Sequence, residues 1–201
     1  MKDFISVTDL ELAKMINNGL VGVIPTDTIY GLVGLASSES AISKMYGLKK
    51  RERQPGTIIA SSVHQLESLG FPQVDLQLMT KFWPGPISVV LSANGVANYL
   101  KDGLDSLPVR IPDYPELLDL LSQTGPLMTT SANPPSAPSA TNIEQAKSYF
   151  GESVDFYVDS GNLSGREPST IIGFDETGKI QIFREGAINS EALQNISRQG
   201  L

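Results

Sequence analysis

A chain of 201 residues, 40% hydrophobic and 18% charged, can bury one substantial core and is too apolar for a disordered segment. It holds no cysteine and one histidine, His64, which excludes a disulfide scaffold, a zinc–thiolate site and thiol catalysis and leaves any His-centred triad resting on a single residue. A formal net charge of -7 argues against a broad basic nucleic-acid face, while leaving room for a small basic pocket.

The first residues, Met1-Lys2-Asp3-Phe4, lack a basic segment followed by an apolar one, and no run approaches the ~18 apolar residues of a membrane helix, so a cytoplasmic protein without membrane attachment is expected. Asp9 to Asn18 has helical spacing in Leu10, Leu12, Ala13 and Ile16, with Thr8 as a candidate N-cap and Gly19 as a stop. Val21 to Ile24 reads as a buried strand, and Ser38 to Leu48 as a helix with Ile42, Met45 and Leu48 on one face. A strand at Thr57 to Ala60 and helices at Val63 to Leu69 and Leu76 to Phe82 follow. Strands are expected at Ile87 to Leu91, Leu107 to Ile111 and Leu127 to Thr130, with a helix at Pro115 to Ser122 that has proline in its first turn. Ile143 to Phe150 reads as a helix, and Phe156 to Val158, Thr170 to Phe174 and Lys179 to Phe183 as strands, the last two joined by a turn at Asp175 to Gly178. Ser190 to Arg198 is expected to close the chain as a helix. No repeat and no linker interrupts this order, so residues 1–201 read as one α/β domain with a mixed sheet, and Pro134 to Thr141 as a flap.

Several polar words follow strands, where ligands collect in open α/β sheets. Lys49-Lys50-Arg51-Glu52-Arg53 admits two readings, a polyphosphate-binding cluster or a solvated helix end. Pro25 to Leu32 joins a strand to an expected helix, where its hydroxyls and helix amides would hold an anion or Thr26 and Asp27 would merely cap. Thr129 to Asn133 and Pro168-Ser169-Thr170 put small polar groups beside strands, as ligand contacts or as turns. Arg110, between apolar neighbours, requires a partner if buried, either a ligand carboxylate or a structural Asp. Arg184, beside Glu185, poses the same choice. Trp83-Pro84-Gly85-Pro86 reads as architecture, and His64 as a helix surface residue.

Taken in order, Pro25-Thr-Asp-Thr-Ile-Tyr-Gly-Leu32, Leu48-Lys-Lys-Arg51, Trp83-Pro-Gly-Pro86, Val109-Arg-Ile-Pro112, Thr130-Ser-Ala-Asn133, Pro168-Ser-Thr-Ile171 and Arg184-Glu-Gly186 resemble the words of the YrdC/TsaC-like threonylcarbamoyl-AMP synthase family, in its short single-domain form. The resemblance implies a YrdC-like twisted mixed sheet with flanking helices around a concave, positively charged cavity. It implies a nucleotidyltransferase that converts L-threonine, bicarbonate and ATP to threonylcarbamoyl-AMP and pyrophosphate, for the N6-threonylcarbamoyladenosine modification of tRNA at adenosine 37. It also implies Mg²⁺ held mainly through the ATP phosphates with no protein metal site, downstream tRNA threonylcarbamoyl-transferase proteins as partners, and weak or no direct tRNA binding. The alternative is a paralogue that binds nucleotide or RNA without synthase activity. By the same resemblance Lys49 and Arg51 match the family's KxR pair and Ser131 and Asn133 its SxN pair, together the catalytic set. Lys49, Arg51, Ser106, Asn133, Thr141 and Arg184 match ATP contacts, and Thr28, Arg110, Ser131 and Ser169 match threonine contacts. The chain departs from the pattern at Glu52, where proline is common, at Pro55, where Lys or Asn often meets ATP, and at Pro135-Ser136, which replaces Ser-Gly.

Overall fold

The computed structural model describes residues 1–50 and 55–193. Its described strands form one mixed sheet: β1 (Lys2–Phe4), β2 (Gly22–Ile24), β3 (Gly31–Leu35), β4 (Thr57–Ile59), β5 (Ile87–Ser92), β6 (Ser106–Arg110), β7 (Leu127–Ser131), β8 (Phe156–Val158), β9 (Thr170–Phe174) and β10 (Ile180–Arg184). They lie side by side in the order β1-β8-β2-β3-β7-β4-β6-β5-β9-β10. Pairs β1/β8, β2/β8, β4/β6 and β5/β9 are parallel, and the others antiparallel.

The central strands are buried on both faces, so they read as continuous apolar runs and side-chain alternation divides them between two cores. Val23, Leu32, Ile58, Met128 and Tyr157 enter one core. Their neighbours Ile24, Val33, Ile59, Leu127, Phe156 and Val158 enter the other. The second core is closed by α1 (Leu10–Asn17), through Leu12, Ala13 and Ile16, and by a helix at Pro115–Thr124, through Leu117, Leu120 and Leu121. The first core takes α2 (Glu39–Lys49), through Ala41, Ile42 and Met45, together with α3 (Val63–Ser68), α4 (Gln73–Met79), α5 (Asn98–Lys101) and, after α6 (Pro115–Thr124), α7 (Ile143–Phe150).

Most of the expected elements are present within a residue or two. The expected α1 N-cap, Thr8, is corrected: Asp9 accepts from the Glu11 N–H, while the Thr8 N–H is held by Ser6. The Pro25-to-Leu32 word does not lead into a helix. It is the turn and first residues of a β2–β3 hairpin, with Ile24 opposite Gly31. β1, β3 and α5 were not expected. The closing helix begins at residue 190, and its remainder lies outside the described residues. Trp83 donates its indole N–H to the Ile87 carbonyl at 2.8 Å, and the Gly85 N–H reaches Ile111, which makes this word the corner entering β5. His64 is exposed, as expected.

One polar staple joins three elements. Asp155, before β8, accepts from Lys44 Nζ of α2 at 2.7 Å and from the Val21 N–H before β2 at 2.8 Å. Burial would raise the Asp155 pKa, but Lys44 and the Val21 amide outweigh it and hold the carboxyl below its ordinary value. A depressed carboxylate contributes stability above the unfolded pKa of about 3.9, and that contribution disappears as pH falls through the folded value. Asp155→Asn is expected to cost about 1 kcal/mol at neutral pH, the partial exposure of the pair reducing the yield of a charged hydrogen bond. Urea midpoints of the two proteins should converge as the pH is taken below about 4.

Candidate functional site

A cavity of about 280 Å³ opens across the middle of the sheet. Strand register gathers its walls. Gly31 of β3 faces Ser131 of β7, Thr57 of β4 faces Thr129 of β7, and Ile59 of β4 faces Arg110 of β6. The hairpin turn supplies Thr26 and Thr28 to the lining, the segment entering β9 supplies Ser169, and the end of β10 supplies Arg184. Gly31 is required by this crowding, since a Cβ there would stand 2.4 Å from Thr129 Oγ1.

Thr28, Arg110, Ser131, Ser169 and Arg184, all named from sequence, therefore line one cavity although they are scattered over more than 150 positions. In the hairpin turn the Thr26 hydroxyl donates to the Ile29 carbonyl at 2.7 Å and lies 3.0 Å from the Thr28 hydroxyl, which fixes both buried threonines. Ser169 Oγ lies 2.9 Å from Ser88 Oγ of β5, so the buried Ser88, which the sequence reading did not single out, orients it. Ser88 was detectable as a lone hydroxyl within the apolar run Ile87 to Leu91.

Arg184 donates Nε and Nη2 to the Ser169 carbonyl at 3.2 and 2.7 Å, and Nη2 also reaches Ser169 Oγ at 3.2 Å. This close approach depends on Gly186. A Cβ there would lie 2.1 Å from the Pro168 carbonyl oxygen, a backbone atom that cannot turn away. Gly186→Ala is expected to cost about 1–3 kcal/mol as an overpacked contact and to pull Arg184 away from Ser169. A fall in melting temperature would register the overpacking.

Arg110 is 2% exposed, and its Nη1 donates to Asp27 Oδ1 at 2.6 Å. Asp27 Oδ2 also accepts from the Asp113 N–H at 3.2 Å. Of the two partners open to Arg110, the structure contains the structural Asp. Burial pushes the guanidinium down from its ordinary value, and the Asp27 carboxylate opposes that shift. Arg110 Nε has no hydrogen-bond partner among the described residues.

Lys49 is a correction to the solvated-helix-end reading. It is 1% exposed, on the same α2 stripe as Ile42 and Met45, and its ammonium crosses to the loop after β7. Lys49 Nζ donates to the Ser131 carbonyl at 2.7 Å, to Asn133 Oδ1 at 2.9 Å and to the Asn133 carbonyl. Ser131 Oγ donates to the same Oδ1 at 2.6 Å, and Asn133 Nδ2 donates to the Ala137 carbonyl. The buried Lys49 and the half-buried Asn133 thus form a brace behind Ser131 and do not line the cavity themselves. The Ala140 N–H returns to the Ala132 carbonyl at 3.0 Å, so the expected flap is tied at both ends. Within it Ser136 takes φ +64°, the left-handed region that glycine occupies at less cost.

Ser106 and Thr141 are not among the lining residues. Ser106 begins β6 on the face that alternation gives to Pro108 and Arg110, so it extends that wall. Thr141 places its N–H and hydroxyl on Gln145 Oε1 at the start of α7. Arg51 and Glu52 lie outside the described residues. Pro55 lines the cavity and brings no N–H donor to it. Among the described residues no group of three or more His, Cys, Asp or Glu could hold a metal ion, and no helix is long and apolar enough to cross a membrane.

The family model Sua5/YciO/YrdC, described as "Telomere recombination", matches residues 14–186. A putative threonylcarbamoyl-AMP synthase of Mycobacterium tuberculosis is 33% identical over 186 residues, covering 90% of this chain and 85% of that protein. A threonylcarbamoyl-AMP synthase of Pseudomonas fluorescens is 32% identical over 174 residues, covering 85% of this chain and 94% of the relative. The structure of P. abyssi Sua5 complexed with L-threonine superposes with a TM-score of 0.85 at 27% identity. That match covers 98% of the present chain, which spans 60% of the longer Sua5 chain.

Proposed function

Because the chain belongs to the Sua5/YciO/YrdC family, we propose that it is an L-threonylcarbamoyladenylate synthase, making threonylcarbamoyl-AMP and pyrophosphate from L-threonine, bicarbonate and ATP for t6A modification of tRNA. The observation that carries this reading is the convergence of Arg110, Arg184 and the hydroxyls of Thr28, Ser131 and Ser169 on one cavity.

The chemistry asks little of a general base in its second half. The threonine amine and bicarbonate give a carbamate and water. A carbamate oxygen then attacks the α-phosphorus of ATP, the bond to the bridging oxygen breaks, and pyrophosphate leaves with its electron pair. The nucleophile is already an anion, so the protein's work is to hold two anions together and offset their charge. Arg110 offers its guanidinium to the threonine carboxylate, with Thr28, Ser131 and Ser169 around the rest of the amino acid. Arg184, with Arg51, offsets charge on ATP, and Asn133, Ser106 and Thr141, which lie outside the cavity lining, are proposed as further nucleotide contacts reached where ATP extends beyond it. Lys49 holds the Ser131–Asn133 loop in shape, so its part in catalysis is exerted through those two residues. Mg²⁺ is proposed as a companion of the ATP phosphates, without a protein ligand set. The downstream tRNA threonylcarbamoyl-transferase proteins would receive the adenylate, and direct tRNA binding is proposed to be weak or absent.

Pyrophosphate release tests the reading. It is expected when all three substrates are present and should fall to background on omitting threonine or bicarbonate. No release above background with all three substrates present would favour the alternative, a nucleotide-binding relative without synthase activity; that alternative draws support from Pro55, which offers the cavity no N–H.

A further inference from the structure

The pairing of Arg110 with Asp27 bears on which ligand the cavity accepts, an inference that rests on the reading above. A cavity that uses one arginine for a carboxylate is expected to attract any small carboxylate. Here the arginine's charge is already matched. Arg110 Nη1 is 2.6 Å from Asp27 Oδ1, with side-chain exposures of 3% and 6%, so the pair is shielded from solvent. Buried charges interact far more strongly than exposed ones. Arg110 lines the cavity, and its Nε is unpartnered among the described residues, so the guanidinium keeps donor capacity that Asp27 does not use. Asp27 itself is not among the lining residues, but Thr26 and Thr28 on either side of it are.

A ligand whose carboxylate shares Arg110 therefore brings a second negative charge to a pair that is already neutral. The attraction to Arg110 is opposed by Asp27. An α-amino acid brings an ammonium group one carbon from that carboxylate, and the ammonium answers Asp27. A 2-hydroxy acid of the same shape has no such group. We propose that Asp27, acting through Arg110, is the positioning residue that sets this cavity to take zwitterionic amino acids and to reject the matching hydroxy acids.

The test compares L-threonine with the isosteric hydroxy acid, 2,3-dihydroxybutanoate of matching configuration, by calorimetric titration at neutral pH. The wild-type protein should bind threonine at least about tenfold more tightly than the hydroxy acid, the factor associated with one charge-assisted contact. In Asp27→Asn both carboxylates are released from the opposition of Asp27 and only threonine loses the charge that answers its ammonium, so the hydroxy acid should gain about tenfold relative to threonine and the ratio collapse toward one. A merely structural role for Asp27 would weaken both ligands together and leave the ratio unchanged, which overturns the inference. Should Asp27→Asn fail to fold, the wild-type ratio decides by itself, and equal affinities overturn the proposal. Binding of threonine with an unchanged ratio refutes the role of Asp27 alone. Binding of neither ligand to the wild-type protein refutes the reading of the cavity and this inference with it.

Discussion

Arg110→Met is expected to destabilise the fold by about 3–5 kcal/mol, because it strands the Asp27 carboxylate in a site built for an ion pair. The Asp113 N–H alone, at 3.2 Å, cannot replace a guanidinium. For a domain of this size the loss corresponds to a fall of roughly 10 °C in melting temperature. The double variant Asp27→Asn/Arg110→Met removes both charges and should recover much of that stability, since a buried pair replaced as a unit is often close to neutral. The same double variant should remain unable to bind threonine. Stability and ligand binding would then separate: the first depends on the pair being matched, the second on Arg110 being present. Urea unfolding of the four proteins of this cycle supplies the coupling energy, and additive losses would show that the 2.6 Å contact carries no mutual stabilisation.

Lys49→Met is expected to have the second large effect. Methionine resembles the lysine stem in size, so the apolar packing beside Ile42 and Met45 is kept while the ammonium is lost. The carbonyls of Ser131 and Asn133 and the Asn133 amide oxygen then lose their buried donor. The stability cost is about 3 kcal/mol, at the upper end for a charged hydrogen bond. Pyrophosphate release should fall by roughly a hundredfold or more, because misplacing preorganised polar groups costs transition-state stabilisation. Lys49→Arg is not expected to rescue it, since a planar fork cannot converge on three acceptors grouped around one ammonium. Near-normal turnover in Lys49→Met would remove Lys49 from the catalytic account.

Much of the sheet was legible because its strands are short apolar runs punctuated by proline, glycine and polar turns. The exceptions have local causes. β3 is Gly31-Leu-Val-Gly-Leu35, buried throughout, and its two glycines obscure both alternation and β-propensity. The preceding polar turn then resembled a helix start, when it was a hairpin turn. β1 is three residues at a sheet edge, too short to show a period. The cavity hydroxyls and arginines were legible as words, but their partners were not. Arg110 and Asp27 lie 83 positions apart, and Ser169 and Ser88 lie 81 apart, and no spacing rule links them. For Lys49 the segment alone left a solvated helix end open beside an anion-binding cluster, although the signal for burial was present. It follows Ile42 and Met45 at helical spacing on the buried face of α2, and a charge on an apolar stripe implies a buried partner.

The measurement that bears most directly on the account is the fate of isotopically labelled bicarbonate. Incubated with ATP and L-threonine, the protein should transfer the label into a nucleotide product with the mass of threonylcarbamoyl-AMP, with one pyrophosphate released per label incorporated. No such product should form without threonine. Retention of all the label as bicarbonate, while ATP and threonine are both bound, would contradict the proposed synthase activity.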